Sequence, residues 1–290
     1  MFLSVFLTAI TLVTTCSGEC SRELLKSVTD QYVSTQASGQ SSNFLALSDA
    51  VNYTENEKSV NIRTSSILLQ PLKIDHSRSI HDTTSCSTFT ELIAASNQHP
   101  YVIGTRMLLT NNRVKTIESI VTDKGDWAFN ATGYLYWNSL ETWDPIPVEK
   151  RDTRATIQAA GDAYFDRFNN VSVVVPFGPL CARLEGGAYT GNGRLDQNSC
   201  DIGGLPSNIV VTNRRYVIDE EMGVVDIYLG FPGLDRSQGQ APMPDSHAFR
   251  VEDGKIRYIH TVSSCVTDGC GMNGTAPSLR AMRMRKRFSF

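Results

Sequence analysis

His247 and His260 are the residues most suited to chemistry in this chain. They flank Asp253 and Gly254 at nearly equal distances, within PDSHAFRVEDGKIRYIHTVSS. An Asp-Gly pair between two alternating apolar runs predicts a β-hairpin with a two-residue loop. An unbroken register places Glu252 opposite Lys255, Val251 opposite Ile256 and Arg250 opposite Arg257. Phe249 then faces Tyr258, Ala248 faces Ile259 and His247 faces His260. Side chains alternate between sheet faces, so the two imidazoles share a face with Phe249 and Tyr258. Two adjacent imidazoles titrating near neutral pH can act as base and acid. Arg250 opposite Arg257 is the costly feature of this register, since like charges face each other.

Further candidates lie upstream. Arg183 and Glu185 alternate onto one strand face; an arginine there would grip a carboxylate or enolate, with Glu185 orienting it or acting as base. Gly186 and Gly187 follow and suit a sharp bend better than a phosphate cradle. Asp162 and Tyr164 lie on a helix: a buried Asp could serve as base and a Tyr could donate to a developing oxyanion. The competing reading is an Asp–Arg surface contact beside a core Tyr. Arg214 and Arg215 precede a strand and point to opposite faces, for anion binding or for pairing with acids between domains.

Elements must position these groups. SRELLKSVTDQYVSTQ (21–36) has helical spacing of Leu24, Leu25, Val28 and Tyr32, with Ser21 as cap. Residues 62–72 read as a strand and STFTELIAAS (87–96) as a second helix. Residues 101–109 and 114–121 alternate around Asn111 and Asn112, predicting another hairpin. After a Pro-rich linker at 144–153 the pattern restarts with a helix at 154–168. Asp162-x-Tyr164 echoes Asp30-x-Tyr32, Arg183-x-Glu185 echoes Tyr53-x-Glu55, and the hairpin at 254–256 echoes 112–114. The order is kept and the spacing nearly so, which predicts a duplication: units at 19–143 and 154–267, then a basic tail at 268–290. In the first unit Thr105 and Glu118 stand where the second has His247 and His260.

The compartment is legible from the ends and the cysteines. MFLSVFLTAITLVTTCSG (1–18) has the apolar run and small-residue end of a secretory signal peptide. Its removal leaves Cys20, Cys86, Cys181, Cys200, Cys265 and Cys270 of the 7 cysteines. The expected pairing is Cys20–Cys86, Cys181–Cys200 and Cys265–Cys270, each closing a loop within one unit. Sequons at Asn52, Asn130, Asn170 and Asn273 suit a glycosylated product. A net charge of −3 over 290 residues excludes a bulk polyelectrolyte role, and nucleic acid is not an expected partner. No metal-ligand spacing, dinucleotide fingerprint or Ser–His–Asp signature is present, so no cofactor is expected. Residues 234–244, polar and rich in Pro and Gly, would suit a lid.

A long helix, an apolar-then-acidic segment and closing hairpins with a FRVEDGKI turn resemble the cone-shaped α+β barrel of nuclear transport factor 2. Ketosteroid isomerases and SnoaL-like polyketide cyclases share that fold. The second unit carries the resemblance in Asp162-Ala-Tyr164, Arg183-Leu-Glu185-Gly186-Gly187, Arg214-Arg215-Tyr216 and the stretch from Asp245 and His247 to His260. The secreted tandem is similar to fungal proteins whose relatives include cyclases that dimerise maleic anhydride monomers in maleidride biosynthesis. The resemblance implies two tandem cones, each a curved antiparallel sheet closed by a long helix. It also implies a cofactor-independent isomerase or cyclase acting on a small anionic carbonyl or anhydride metabolite. His247 and His260 would move protons, Arg183, Glu185, Phe249, Tyr258 and Arg214 would bind substrate, and Tyr164 and Asp162 would assist. The expected partner is a small molecule, with a homodimer admitted and no membrane for the mature form. The alternative is a secreted, non-catalytic ligand-binding or interaction protein, because one fold serves both uses.

Overall fold

The computed structural model describes residues 20–189, 200–201, 208–232, 241–266 and 270. Helix α1 (Arg22–Ser38) starts where the Ser21 hydroxyl accepts from the Leu24 amide at 3.2 Å and ends at Gly39, whose φ of 68° suits glycine. It buries Leu25, Val28 and Tyr32 against the first sheet. That sheet comprises β1 (Leu47–Glu55), β2 (Lys58–Ser59), β3 (His76–Asp82), β4 (Ser87–Ala94), β5 (Tyr101–Thr110) and β6 (Arg113–Thr122). Helix α2 (Ala131–Asn138) follows, then α3 (Arg154–Asp166). The second sheet comprises β7 (Phe177–Glu185), β8 (Ala188–Tyr189), β9 (Thr212–Asp219), β10 (Val224–Phe231), β11 (Met243–Glu252) and β12 (Lys255–Ser263).

The duplication is explicit in the topology. The first sheet runs β2-β1-β6-β5-β4-β3 and the second β8-β7-β12-β11-β10-β9, which is the same order shifted by one unit. Both are 6-stranded, mixed and open, with one parallel pair each, β1 with β6 and β7 with β12. The expected purely antiparallel sheet is therefore corrected. Two further expectations fail. Residues 87–96 form strand β4, with all of Ser87–Ala94 buried, instead of a helix. A short run buried on both faces lacks the alternation that would mark it as a strand. Residues 62–72 hold only a 3-10 turn, Ile67–Leu69. Helix α2 was not foreseen; its Asn130 side chain caps it by accepting from the Gly133 amide.

The reason for double-sided burial is the way the halves meet. Helices α1 and α3 cover the inner faces, and the outer faces pack on each other. Ile93, Val102 and Ile120 of the first sheet meet Leu184, Tyr228 and Val262 of the second. The contacts are reciprocal. Arg22 at the start of α1 forks onto Asp219 at 2.9 Å for both bonds, and Arg154 at the start of α3 forks onto Asp82 at 2.7 Å. The His81 amide donates to Asp219 and the Ile218 amide to Asp82, at 2.8 and 2.9 Å. Residue i of one half meets residue j of the other, and j meets i, as in a two-fold dimer. The chain is thus a dimer-like pair made within one polypeptide.

Candidate functional site

The β11–β12 hairpin forms as expected around Asp253 and Gly254, both in the left-handed region. Its register does not survive. Glu252 pairs with Lys255 and Val251 with Ile256, but a bulge then passes over Arg257, so Arg250 pairs with Tyr258, Phe249 with Ile259, Ala248 with His260 and His247 with Thr261. One extra residue turns the rest of β12 over. His247 and His260 thus lie on opposite faces, and Tyr258 leaves the face of Phe249. The bulge also separates Arg250 from Arg257, the like-charge contact that the simple register required.

His260 lies in the seam between the halves. Its Nδ1 meets Glu91 Oε2 at 2.8 Å and its Nε2 meets Glu141 Oε2 at 2.6 Å. Burial lowers its pKa, but Glu141 and Glu91 outweigh that and push it up to about 9. Burial alone would raise the Glu91 carboxyl, yet His260 and Arg78 hold it well below the usual range. Tyr134 and Asn138 of α2 also donate to Glu91, at 2.7 and 2.8 Å. Trp143 donates to Glu141 and stacks on Tyr258, its ring centroid 5.3 Å away. Doubly paired and buried, His260 ties the halves together; it does not stand beside His247, and Tyr258 shares its face instead of that of Phe249, so the expected side-by-side arrangement is corrected.

The inner face of the second sheet gathers the other candidates. Arg183 and Glu185 of β7 are ion-paired and buried, and Glu185 also accepts from Trp127 Nε1 at 2.6 Å. The Arg183 guanidinium lies 5.6 Å from the Tyr164 ring centre. His247 lies against Tyr164, Phe165 and Phe249, with centroids 5.5, 4.9 and 5.9 Å away. Its Nδ1 is 3.3 Å from Asp245 Oδ1, which accepts from Ser263 Oγ at 2.8 Å. Burial raises the Tyr164 phenol above its ordinary pKa, so it stays a donor. Phe168 and Phe177 close on Tyr164. Two buried polar atoms here, Tyr164 Oη and Thr261 Oγ1, have no hydrogen-bond partner among the described residues, whereas His247 Nδ1 keeps its contact with Asp245.

The first half provides the control. Pairing registers match Thr105 to His247 and Ser119 to Thr261, and the Asp-x-Tyr echo on the two helices matches Tyr32 to Tyr164. There Tyr32 Oη meets Thr105 Oγ1 at 2.7 Å, and Thr105 meets Ser119 at 2.8 Å. Tyr53, matching Arg183, donates to Glu55 at 2.6 Å. The first interior is a closed hydrogen-bond chain; the second is open at the same positions.

Asp162 and Arg214 are not brought to this interior. Arg214 spans α3, meeting Asp162 at 2.8 Å and Asp166 at 2.7 Å, and Tyr216 donates to Asp162 at 2.8 Å. This is the surface Asp–Arg contact named as the competing reading. Arg215 turns the other way, to Glu57 and Glu118 across the seam, at 2.5 and 3.1 Å. Gly186 and Gly187 have φ of 58° and 132°, and a Cβ at either would strike the backbone of Trp127 or Asn130. They allow the start of α2 to lie on the β7–β8 turn. Asp245 and Thr261 were missed as site residues; the register carries both, but only once the bulge is known.

The disulfides are Cys20–Cys86, Cys181–Cys200 and Cys265–Cys270, as expected, with Cα separations of 5.4, 5.6 and 5.8 Å. They fit an oxidising, secretory-type environment. No helix among the described residues is long and apolar enough to cross a membrane, and no cluster there has the form of a metal centre. Asn52, Asn130 and Asn170 are exposed. Residues 1–18, Asn273, residues 271–290 and the lid segment at 234–240 lie outside the described residues.

A family model described as "Domain of unknown function (DUF8021)" matches residues 150–263. That stretch runs from just before α3 to the end of β12, so the similarity covers the half that holds Tyr164, His247 and Thr261. No curated protein matches the chain.

Proposed function

We propose that the second half is a small-molecule site of ketosteroid-isomerase type. On this reading the protein is a secreted, cofactor-independent isomerase or cyclase acting on a small anionic carbonyl or anhydride metabolite. One observation carries the reading: Tyr164 Oη and Thr261 Oγ1 are buried without hydrogen-bond partners among the described residues, where the sister half closes the same positions through Thr105. Buried polar groups are normally satisfied, and leaving one unpaired costs about 1–3 kcal/mol. A ligand that bonds both recovers that cost.

The chemistry follows from the groups. His247 is the proton acceptor, with Asp245 oriented by Ser263 to steady the imidazolium that forms. Tyr164 stays protonated and donates to oxygen as negative charge develops there. Arg183 supplies positive charge beside it, with Glu185 and Trp127 fixing its direction. The phenylalanines exclude water and accept a flat apolar body. His260 takes no part.

Proton abstraction next to a carbonyl leaves an isotopic trace. The mature protein, incubated in deuterated water with a panel of small keto acids and alkyl maleic anhydrides, should wash deuterium into the acidic carbon of its substrate. His247→Ala should slow this by about 100-fold or more, with the fold unchanged by circular dichroism. Equal exchange in both proteins removes His247 from the mechanism. Saturable binding with no exchange supports the non-catalytic binder instead.

A further inference from the structure

A separate cleft of ≈ 710 Å³ lies on the first half, between α1 and edge strand β3, and reaches the turn at Glu221 and Met222 of the second half. Its origin is a difference between the copies. In the second half the matching seam is closed: Arg214 reaches from β9 to Asp162 and Asp166 on α3, and Tyr216 joins it on Asp162. The Arg214 guanidinium also lies 5.5 Å over the Phe165 ring. Pairing registers put Ser77 and Ser79 at the places of Arg214 and Tyr216. Asp30 occupies the place of Asp162 and Val33 that of Phe165. Two serines cannot span the seam, so it stays open.

The walls of this cleft offer acceptors. Asp30 is exposed and held only by Lys26, one turn away at 3.0 Å. An exposed pair at that spacing is worth little and yields readily to a better partner. Glu23 adds a carboxylate, whereas Arg22 is already committed to Asp219 and Glu221, and Glu221 to Arg22 and Arg151. The most buried titratable group of the lining is His81, only 9% exposed, and its Nδ1 has no partner among the described residues. Its tautomer follows from its neighbour. Thr29 spends its hydroxyl proton on the Lys26 carbonyl at 2.9 Å, so at 3.0 Å from His81 Nε2 it can only accept. The ring therefore carries its proton on Nε2, and Nδ1 presents a bare lone pair. Burial, and then Arg22, push its pKa down to about 4, which keeps the ring neutral.

We propose that this cleft binds a small guanidinium compound. Its head would sit on Asp30 where Arg214 sits in the sister half, and a second N–H donor would reach His81 Nδ1. The chemistry is that of Arg214 supplied from outside the chain: a planar, donor-only cation facing a carboxylate and an imidazole lone pair. Nothing in the interior site is used, so the two sites stand or fall independently.

Agmatine is the probe, titrated calorimetrically into the mature full-length protein at low salt, with acetate as the anionic control. Saturable one-to-one binding is expected, with no heat from acetate. Ser77→Arg, which installs the side chain of the sister half, should weaken agmatine by about tenfold or more, and Asp30→Asn should do the same from an exposed position that leaves the fold alone. The proposal is overturned by absent saturation, by unchanged affinity in Asp30→Asn, or by acetate binding in place of agmatine.

Discussion

The two halves share one strand order and a reciprocal pair of arginine–aspartate forks across the interface, yet their interiors have diverged. In the first, Tyr32, Thr105 and Ser119 form a continuous chain of hydrogen bonds, and Tyr53 is tied to Glu55. In the second, the same backbone presents Tyr164 and Thr261 with unpaired hydroxyls, His247 replaces Thr105, and Arg183 replaces Tyr53. Their outer faces changed differently. Asp82 and Asp219 keep identical duties toward the opposite half, each taking an arginine fork and a backbone amide. Duplication preserved this reciprocal contact and relaxed what fills the copies. The first half therefore serves as an internal reference for judging which features of the second go beyond folding.

The comparison is most exposed to failure at the shared interface. Asp219→Ala and Asp82→Ala each remove an arginine fork and leave buried amides without a partner, and each should cost about 3–5 kcal/mol in chemical denaturation. The two losses should agree within about 1 kcal/mol, since standing context effects vary by that order. A loss at only one position would show that the symmetry is not energetic.

His260 breaks the symmetry, because Glu118 holds its place in the first half. His260→Leu strands Glu91 and Glu141 and should cost about 3 kcal/mol. Its folded pKa is raised to about 9, above the ordinary histidine value of 6.5. Its contribution is therefore complete below pH ~6.5 and fades as pH rises through about 9. Stability curves of wild type and variant should converge over that window. His81 has the opposite sign: with its pKa lowered to about 4, stability is lost as pH falls from ~6.5 toward that value. Mildly acidic melting of His81→Phe should show a smaller acid loss than the wild type.

The smallest effects compare the interiors directly. Tyr32→Phe removes a buried hydrogen bond and should cost about 1 kcal/mol, whereas Tyr164→Phe removes an unpartnered hydroxyl and should change stability by less than about 0.5 kcal/mol. Equal costs from urea titrations would mean that the second interior is as closed as the first.

The repeat, the first and third helices, both hairpins and the disulfide pairing were all legible in the sequence. Each rests on a local signal: a capping serine, an Asp-Gly or Asn-Asn turn, a loop closed within one unit. The faces of β12 were not legible, because a single bulge residue reverses all that follows it. A warning stood in the sequence nonetheless, in Arg250 opposite Arg257. Residues 87–96 misled because a strand covered on both faces has no period to read. His260 had the chemistry of a catalyst and the position of a clamp. Its partners, Glu91 and Glu141, are remote in sequence and nothing local connects them to it.

The central claim is that the second interior, and not the first, receives a ligand. Affinity selection from a metabolite extract, read by mass spectrometry, tests it with matched variants of the full-length protein. Wild type and Tyr32→Phe should retain the same small anionic compound, while Tyr164→Phe and His247→Ala should lose it. Equal retention by all four proteins, or loss in Tyr32→Phe alone, would contradict the account.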